Sequence, residues 1–245
     1  MIGSELSTDG AVLARALVSP ASGLARVAGR GRAGLAIAVA TAAALASAAV
    51  IVPRVDYGAA AEVQVKPGEE PTPFEREQAA ATARKIGQIR GWAGAAALPA
   101  LAALAAASLL SLGFRVAGAR PGFRPTLAVT AHGLLPVWLA GILAIPAAIA
   151  RAPIPPDQAA QLLPSSLAAL LPPGAPGPLA AALSGLDLFA LASLWLVSTG
   201  MARAAGTSRA RALAVTVLLF VAWIALLRVV PAALAANAPP PRPGP

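Results

Sequence analysis

Few side chains in this 245-residue chain carry chemistry, and three of them sit inside long apolar runs. Asp187 interrupts residues 178–202, Arg228 lies near the end of residues 212–231, and His132 is the chain's single histidine, inside residues 125–150. A carboxylate placed deep in hydrocarbon costs roughly 2.5–3.5 kcal/mol, so each such group must be offset by a partner, water or a change of protonation. If the last two runs are antiparallel spanning helices, Asp187 lies ~13 Å and Arg228 ~6 Å below one edge of a 30 Å core. One expectation is therefore that they pair. The other is that Arg228 snorkels outward while Asp187 caps backbone groups of an adjacent helix. His132 either relays protons with Asp187 or bonds a neighbouring backbone group. Pro136 and Pro146 predict kinks in the helix that carries His132.

The rest of the inventory excludes more than it offers. There is no cysteine, which removes disulfides, thiolate metal sites and cysteine nucleophiles. One histidine cannot build a His-rich metal site. No glycine-rich phosphate loop, G-x-S-x-G elbow or H-E-x-x-H helix occurs. No enzyme activity, cofactor or metal is expected.

The elements that must position these residues follow from composition. Hydrophobic residues make up 58% of the chain and charged residues 12%, about half the charge of an ordinary soluble domain. A soluble fold of this size cannot hide that much apolar surface in one core. A bilayer-spanning helix needs about 20 apolar residues, and five runs qualify: 34–53, 91–114, 125–150, 178–202 and 212–231. The expected fold is an all-α polytopic membrane bundle of five transmembrane helices, within residues 33–231.

Charge orients the spans, because Lys and Arg stay on the cytoplasmic side. Arg15, Arg26, Arg30 and Arg32 precede the first run. Arg115, Arg120 and Arg124 lie between the second and third, and Arg203, Arg209 and Arg211 between the fourth and fifth, with no acid in either loop. Residues 54–90 instead balance six bases against six acids, and residues 151–177 hold only Arg151 and Asp157. The N-terminus is thus expected in the cytoplasm and the C-terminus outside. The basic side faces an anionic leaflet, each juxtamembrane Arg gaining about 1 kcal/mol. Anionic lipids are the partners expected for Arg26, Arg30, Arg32, Arg115, Arg120, Arg124, Arg203, Arg209 and Arg211. The net charge of +9 needs no nucleic acid, since these arginines are scattered over short loops without aromatic platforms.

The connections are distinctive. Residues 1–32 read as an amphipathic cytoplasmic segment, with Val12, Leu13, Leu17 and Val18 around Arg15, then Leu24 and Val27 around Arg26. Its basic region is longer than that of a signal peptide, so the first span is expected to be retained. In the outer loop 54–90, Thr72-Pro73-Phe74-Glu75 fits a capping box opening a helix that runs into the second span. Prolines crowd residues 151–177 too densely for a spanning helix and predict short apolar turns. Gly34, Ala38, Ala42 and Ala46 form a small-residue stripe suited to close helix contact, within one subunit or with a second copy or another membrane protein. Residues 232–245 read as a Pro-rich disordered tail.

Leu186-Asp187-Leu188-Phe189, followed by Leu194-Trp195-Leu196-Val197-Ser198-Thr199-Gly200-Met201, resembles the fourth-span signature of the Yip (Ypt/Rab-interacting protein) domain family. That signature has an Asp-x-Phe, then apolar residues, then a Gly near the cytoplasmic end. Ser208-Arg209-Ala210-Arg211-Ala212-Leu213 is similar to the family's basic loop opening the fifth span. Phe123-Arg124-Pro125-Thr126 through Leu135-Pro136 resembles its third-span start, and Ser19-Pro20 with Leu24 and Val27 its pre-span segment. A departure is Ala192, where family members often carry Trp; Trp195 lies three residues further on. The resemblance marks Asp187, Phe189, Pro136 and Gly200 as structural or functional positions. Eukaryotic relatives are linked to small-GTPase binding and vesicle trafficking, whereas bacterial relatives are polytopic membrane proteins of undefined role. The charge pattern and the Ala- and Arg-rich composition imply a bacterial inner membrane, so the GTPase role is not carried over. The resemblance implies a non-catalytic scaffold or organiser of lipid and protein assemblies. The alternative is a transporter or channel subunit with a polar path through Asp187 and His132.

Overall fold

The computed structural model describes residues 20–61, 70–156, 158–172 and 175–236. The readings of Val12 to Val18, of Asp157 and of the tail beyond Ala236 lie outside these residues; residues 232–236, expected at the start of the disordered tail, are helical instead. Every named element is helical: α1 (Pro20–Arg30), α2 (Gly34–Ile51), α3 (Pro73–Val116), α4 (Phe123–Gly133), α5 (Leu135–Leu143), α6 (Ile145–Ala150), α7 (Gly177–Gly185), α8 (Leu188–Ala204), α9 (Arg209–Ile224) and α10 (Val230–Ala236). A π turn, Ala225–Val229, joins α9 to α10.

Four segments are long and apolar enough to cross a membrane: Gly34–Arg54, Pro73–Val116, Phe123–Ala150 and Arg209–Ala236. The expected fourth span differs. Residues 178–202 are not one rod but two helices, α7 and α8, separated at Leu186 and Asp187. Alone, the 17 residues of α8 extend ~25 Å, short of a ~30 Å core.

Each departure from a simple rod has a local cause. Thr72 and Glu75 form the capping box, the Thr72 hydroxyl accepting from the Glu75 N–H and the Glu75 carboxylate from the Thr72 N–H. With Pro73 at the first helical position, α3 starts well before the apolar run and continues for 44 residues, or ~66 Å. Half of the expected outer loop 54–90 is therefore helix. The third segment breaks at Leu134 and Ala144, each two residues before a proline, Pro136 and Pro146. Proline has no N–H to donate and its ring crowds the carbonyl four residues earlier, which interrupts the helix at these two points while Leu134 and Ala144 keep helical-region dihedrals.

The core lies where small residues let the helices meet. Ala36 and Ala40 of α2 pack with Ala103 of α3 and with Ala131 and Leu135 of the third segment. Leu110 and Phe114 of α3 pack with Ala128 and Val129 of α4, Val197 and Met201 of α8, and Ala212 of α9. The stripe Gly34, Ala38, Ala42 and Ala46 is exposed, so the intramolecular contact of α2 uses its neighbouring face instead. The described part of the amphipathic N-terminal segment, α1, turns its apolar face to the bundle. Its Leu24 and Val27 are each only 1% exposed, while Arg26 and Arg30 face outward. α1 packs its apolar face against α4 and α8.

At the opposite end of the bundle the loops cap one another. Asp56 N–H donates to Ile154 C=O, and Ile154 N–H to Arg54 C=O, both at 2.9 Å. Val55, Ala144, Ala148, Ile154 and Leu162 close beneath them as an apolar cluster. Tyr57 lies in the groove α3 leaves at Gly87, and burial raises its phenol pKa.

Candidate functional site

Asp187 is the residue around which the polar groups gather. A short acidic side chain in extended conformation (φ −95°, ψ 144°) is a favoured helix N-cap, and its charge opposes the positive end of the helix dipole. Its carboxylate accepts from Phe189 N–H at 2.8 Å and Ala190 N–H at 3.2 Å. The Ser165 hydroxyl donates to the other carboxylate oxygen. Asp187 thus starts its own helix, α8, rather than capping an adjacent one. Three donors hold the half-buried carboxylate.

A loop segment lines the break that this cap creates. Ser166 and Asp187 face each other as an antiparallel bridge. Leu188 N–H donates to Ser165 C=O at 3.0 Å, and Leu167 N–H to Leu186 C=O at 3.2 Å. Backbone that leaves a helix inside a membrane protein must find partners in the protein, and residues 165–167 supply them.

Arg228 faces the same break from the last segment. It sits in the π turn, an i→i+5 widening that is common at functional positions in helices. Its guanidinium donates to Ser184 Oγ at 2.9 Å and lies 5.2 Å from the Trp223 ring centroid. Trp223 in turn stacks on Phe220, centroids 6.0 Å apart. Ser184 donates its own hydroxyl to Ala181 C=O, so it accepts from Arg228 while holding the end of α7. The expected Asp187–Arg228 pair is therefore not what forms. Asp187 is taken by α8 and Ser165, and Arg228 by Ser184, three residues before Asp187, and by Trp223. Their side chains tie down opposite flanks of one break.

The other expected positions lie elsewhere. His132 is buried in the last turn of α4, with Nδ1 2.8 Å from Ala128 C=O. Its neighbour Gly133 packs against Val197, ten residues along α8 from Asp187, or ~15 Å. The structure does not bring His132 and Asp187 together. Pro136 opens α5, and Phe189 lends its N–H to the cap. Gly200 has a steric role: a Cβ there would lie 2.4 Å from Val129 Cγ1, and one at Gly133 would lie 2.5 Å from Val197 Cγ2. Each helix thus offers a glycine to the other's valine, which sets the close antiparallel approach of α4 and α8.

Sequence reasoning missed Ser165, Ser184 and Trp223. The available signals were Ser165-Ser166 as a polar interruption in a Leu- and Pro-rich loop, and Ser184 one turn before Asp187. Among the described residues no group of three or more His, Cys, Asp or Glu could hold a metal ion.

The family model of the Yip1 domain matches residues 14–230. Comparison with curated proteins and with solved structures finds no match.

Proposed function

We propose, from the premise that this chain belongs to the Yip1 domain family, that it is a non-catalytic scaffold organising lipid or protein assemblies in a bacterial inner membrane. An all-α multi-pass membrane protein is the frame for that reading. α7 and α8 together form a fifth, interrupted crossing, with the N-terminus cytoplasmic and the C-terminus outside. Supporting this, α8 packs along α9 while α7 packs against the π turn and α10, so residues 177–204 accompany the whole of the last segment. The arginine-rich ends of α1, α3, α8 and α9 face an anionic leaflet in this arrangement.

One observation carries the scaffold reading: Asp187, Arg228 and His132, the ionisable side chains within the apolar segments, each bond the chain's own structure. Asp187 starts a helix, Arg228 fastens α7, and His132 bonds its own turn. Crosslinking followed by affinity purification from native membranes tests it. A reproducible stoichiometric protein or lipid assembly supports the reading, and a chain recovered alone with normal ion flux across its membrane contradicts it.

The breaks at Leu134, Ala144 and Leu186 favour a second reading, because discontinuous helices build substrate sites in transporters. Proteoliposome flux separates the two. Flux that Asp187→Ala abolishes, with the fold retained, establishes transport; an ion-tight liposome containing folded protein leaves the scaffold.

A further inference from the structure

The arginine-rich hairpin between α8 and α9 holds a cleft that the central break does not use. α8 ends in a Schellman motif, with Thr207 N–H donating to Ala202 C=O at 3.0 Å and Gly206 N–H to Arg203 C=O at 3.3 Å. Gly206 takes φ +59° there, a left-handed conformation that favours glycine. The turn opens a cavity of about 300 Å³ lined by Thr199, Ala202, Arg203, Gly206, Thr207 and Arg209.

The three arginines of this hairpin differ in use. Arg211 donates to the Ala117 carbonyl, fastening the hairpin to the end of α3. Arg203 and Arg209 line the cleft, and among the described residues neither guanidinium makes a hydrogen bond or an ion pair. No acid occurs between Glu77 and Asp157 or anywhere after Asp187, so the adjoining loop 117–122 and the hairpin itself offer no carboxylate. Two arginines and a threonine lining one cleft suit the oxygens of a phosphate, which arginine binds through forked, charge-assisted hydrogen bonds.

We propose that this cleft binds a phosphate group, carried by an anionic lipid headgroup of the leaflet the hairpin faces. The inference rests on the leaflet reading above and narrows it from diffuse attraction to one discrete site. Phosphate free in solution shares the chemistry, and the experiment separates the two sources.

The test uses the full chain in neutral detergent, titrated with dioleoylphosphatidylglycerol and read by native mass spectrometry. Wild type retains one lipid. R203Q/R209Q weakens that retention about tenfold or more, as expected from two lost guanidinium contacts, while R115Q/R120Q, which removes equal charge from the same side, keeps it. Both cleft arginines are exposed, so the fold survives substitution, as circular dichroism and size exclusion verify; R203K/R209K, keeping charge without the fork, weakens binding less. Retention in the presence of millimolar inorganic phosphate assigns the site to lipid, and displacement by it assigns the site to a soluble phosphate. Equal loss in both glutamine variants overturns the cleft but leaves the leaflet reading standing. Wild type with no preference for dioleoylphosphatidylglycerol over dioleoylphosphatidylcholine in the same titration removes both.

Discussion

Asp187 illustrates how a residue that reads as a buried intruder becomes a structural necessity. As an N-cap in extended conformation, the aspartate fixes where α8 starts. Replacing it by alanine removes a cap worth about 1 kcal/mol and leaves the Ser165 hydroxyl without its acceptor. Asn keeps the capping geometry, so Asp187→Asn should cost only a fraction of the alanine penalty, measured by unfolding with dodecyl sulfate in mixed micelles. The partners of Arg228 lead to a sharper expectation. The losses from Asp187→Asn and Arg228→Leu should add within about 0.5 kcal/mol, as for groups without a direct interaction. Ser184→Ala and Arg228→Leu should be non-additive, since one contains the other's hydrogen bond. The sequence put Asp187 and Arg228 within ~7 Å of each other along antiparallel helix axes, and half the site was legible in that both side chains flank one break. Which oxygen meets which nitrogen was not, because depth along a helix axis says nothing about rotation around it. Ser165 lies 22 residues from Asp187, and no local pattern joins a loop serine to a distant carboxylate.

At the scale of helices, α4 and α8 are held together by shape. Gly200→Val would place a branched side chain where Val129 already sits, and overpacking of this kind costs about 1–3 kcal/mol. Val129→Ala should restore part of that stability in the double variant, followed by thermal unfolding in detergent. The start of α3 is held differently. The Thr72 N–H and hydroxyl bonds hold the Glu75 carboxyl below its usual value of 4.5. A depressed folded value means the contribution is intact above pH 4.5 and is lost as pH falls through the lowered value. Amide exchange of residues 74–78, corrected for intrinsic rates, should therefore accelerate on acidification, and Glu75→Gln should flatten that dependence. This helix start was legible because a capping box is a four-residue pattern whose partners are local. The breaks near Pro136 and Pro146 were legible for the same reason. The π turn at Arg228 was not: Ala225 to Val229 contain nothing that distinguishes a widened turn from an α-helical one. The break at Leu186 was hidden by composition, since residues 178–202 are apolar enough to read as continuous.

For the whole molecule, the same apolar character that makes it a membrane protein also fixes how its irregular parts are built. Non-helical backbone in a membrane protein finds its partners within the protein, and the loop backbone of Ser165 and Leu167 supplies them for the gap between α7 and α8. The apolar runs 34–53, 91–114, 125–150 and 212–231 were visible because a long stretch with at most one charged side chain is a property of composition. The docking of α1 was not, because Leu24 and Val27 form an apolar face equally suited to lipid or to α4 and α8. The account turns on whether residues 177–204 cross the membrane as an interrupted helix. The absence of cysteine from the chain allows this to be measured directly, with single cysteines at Ala175 and Thr207 and a membrane-impermeant maleimide. An interrupted crossing predicts that Ala175→Cys is labelled from outside intact cells and Thr207→Cys only after permeabilisation. Labelling of both from the same side would show that α7 and α8 do not cross.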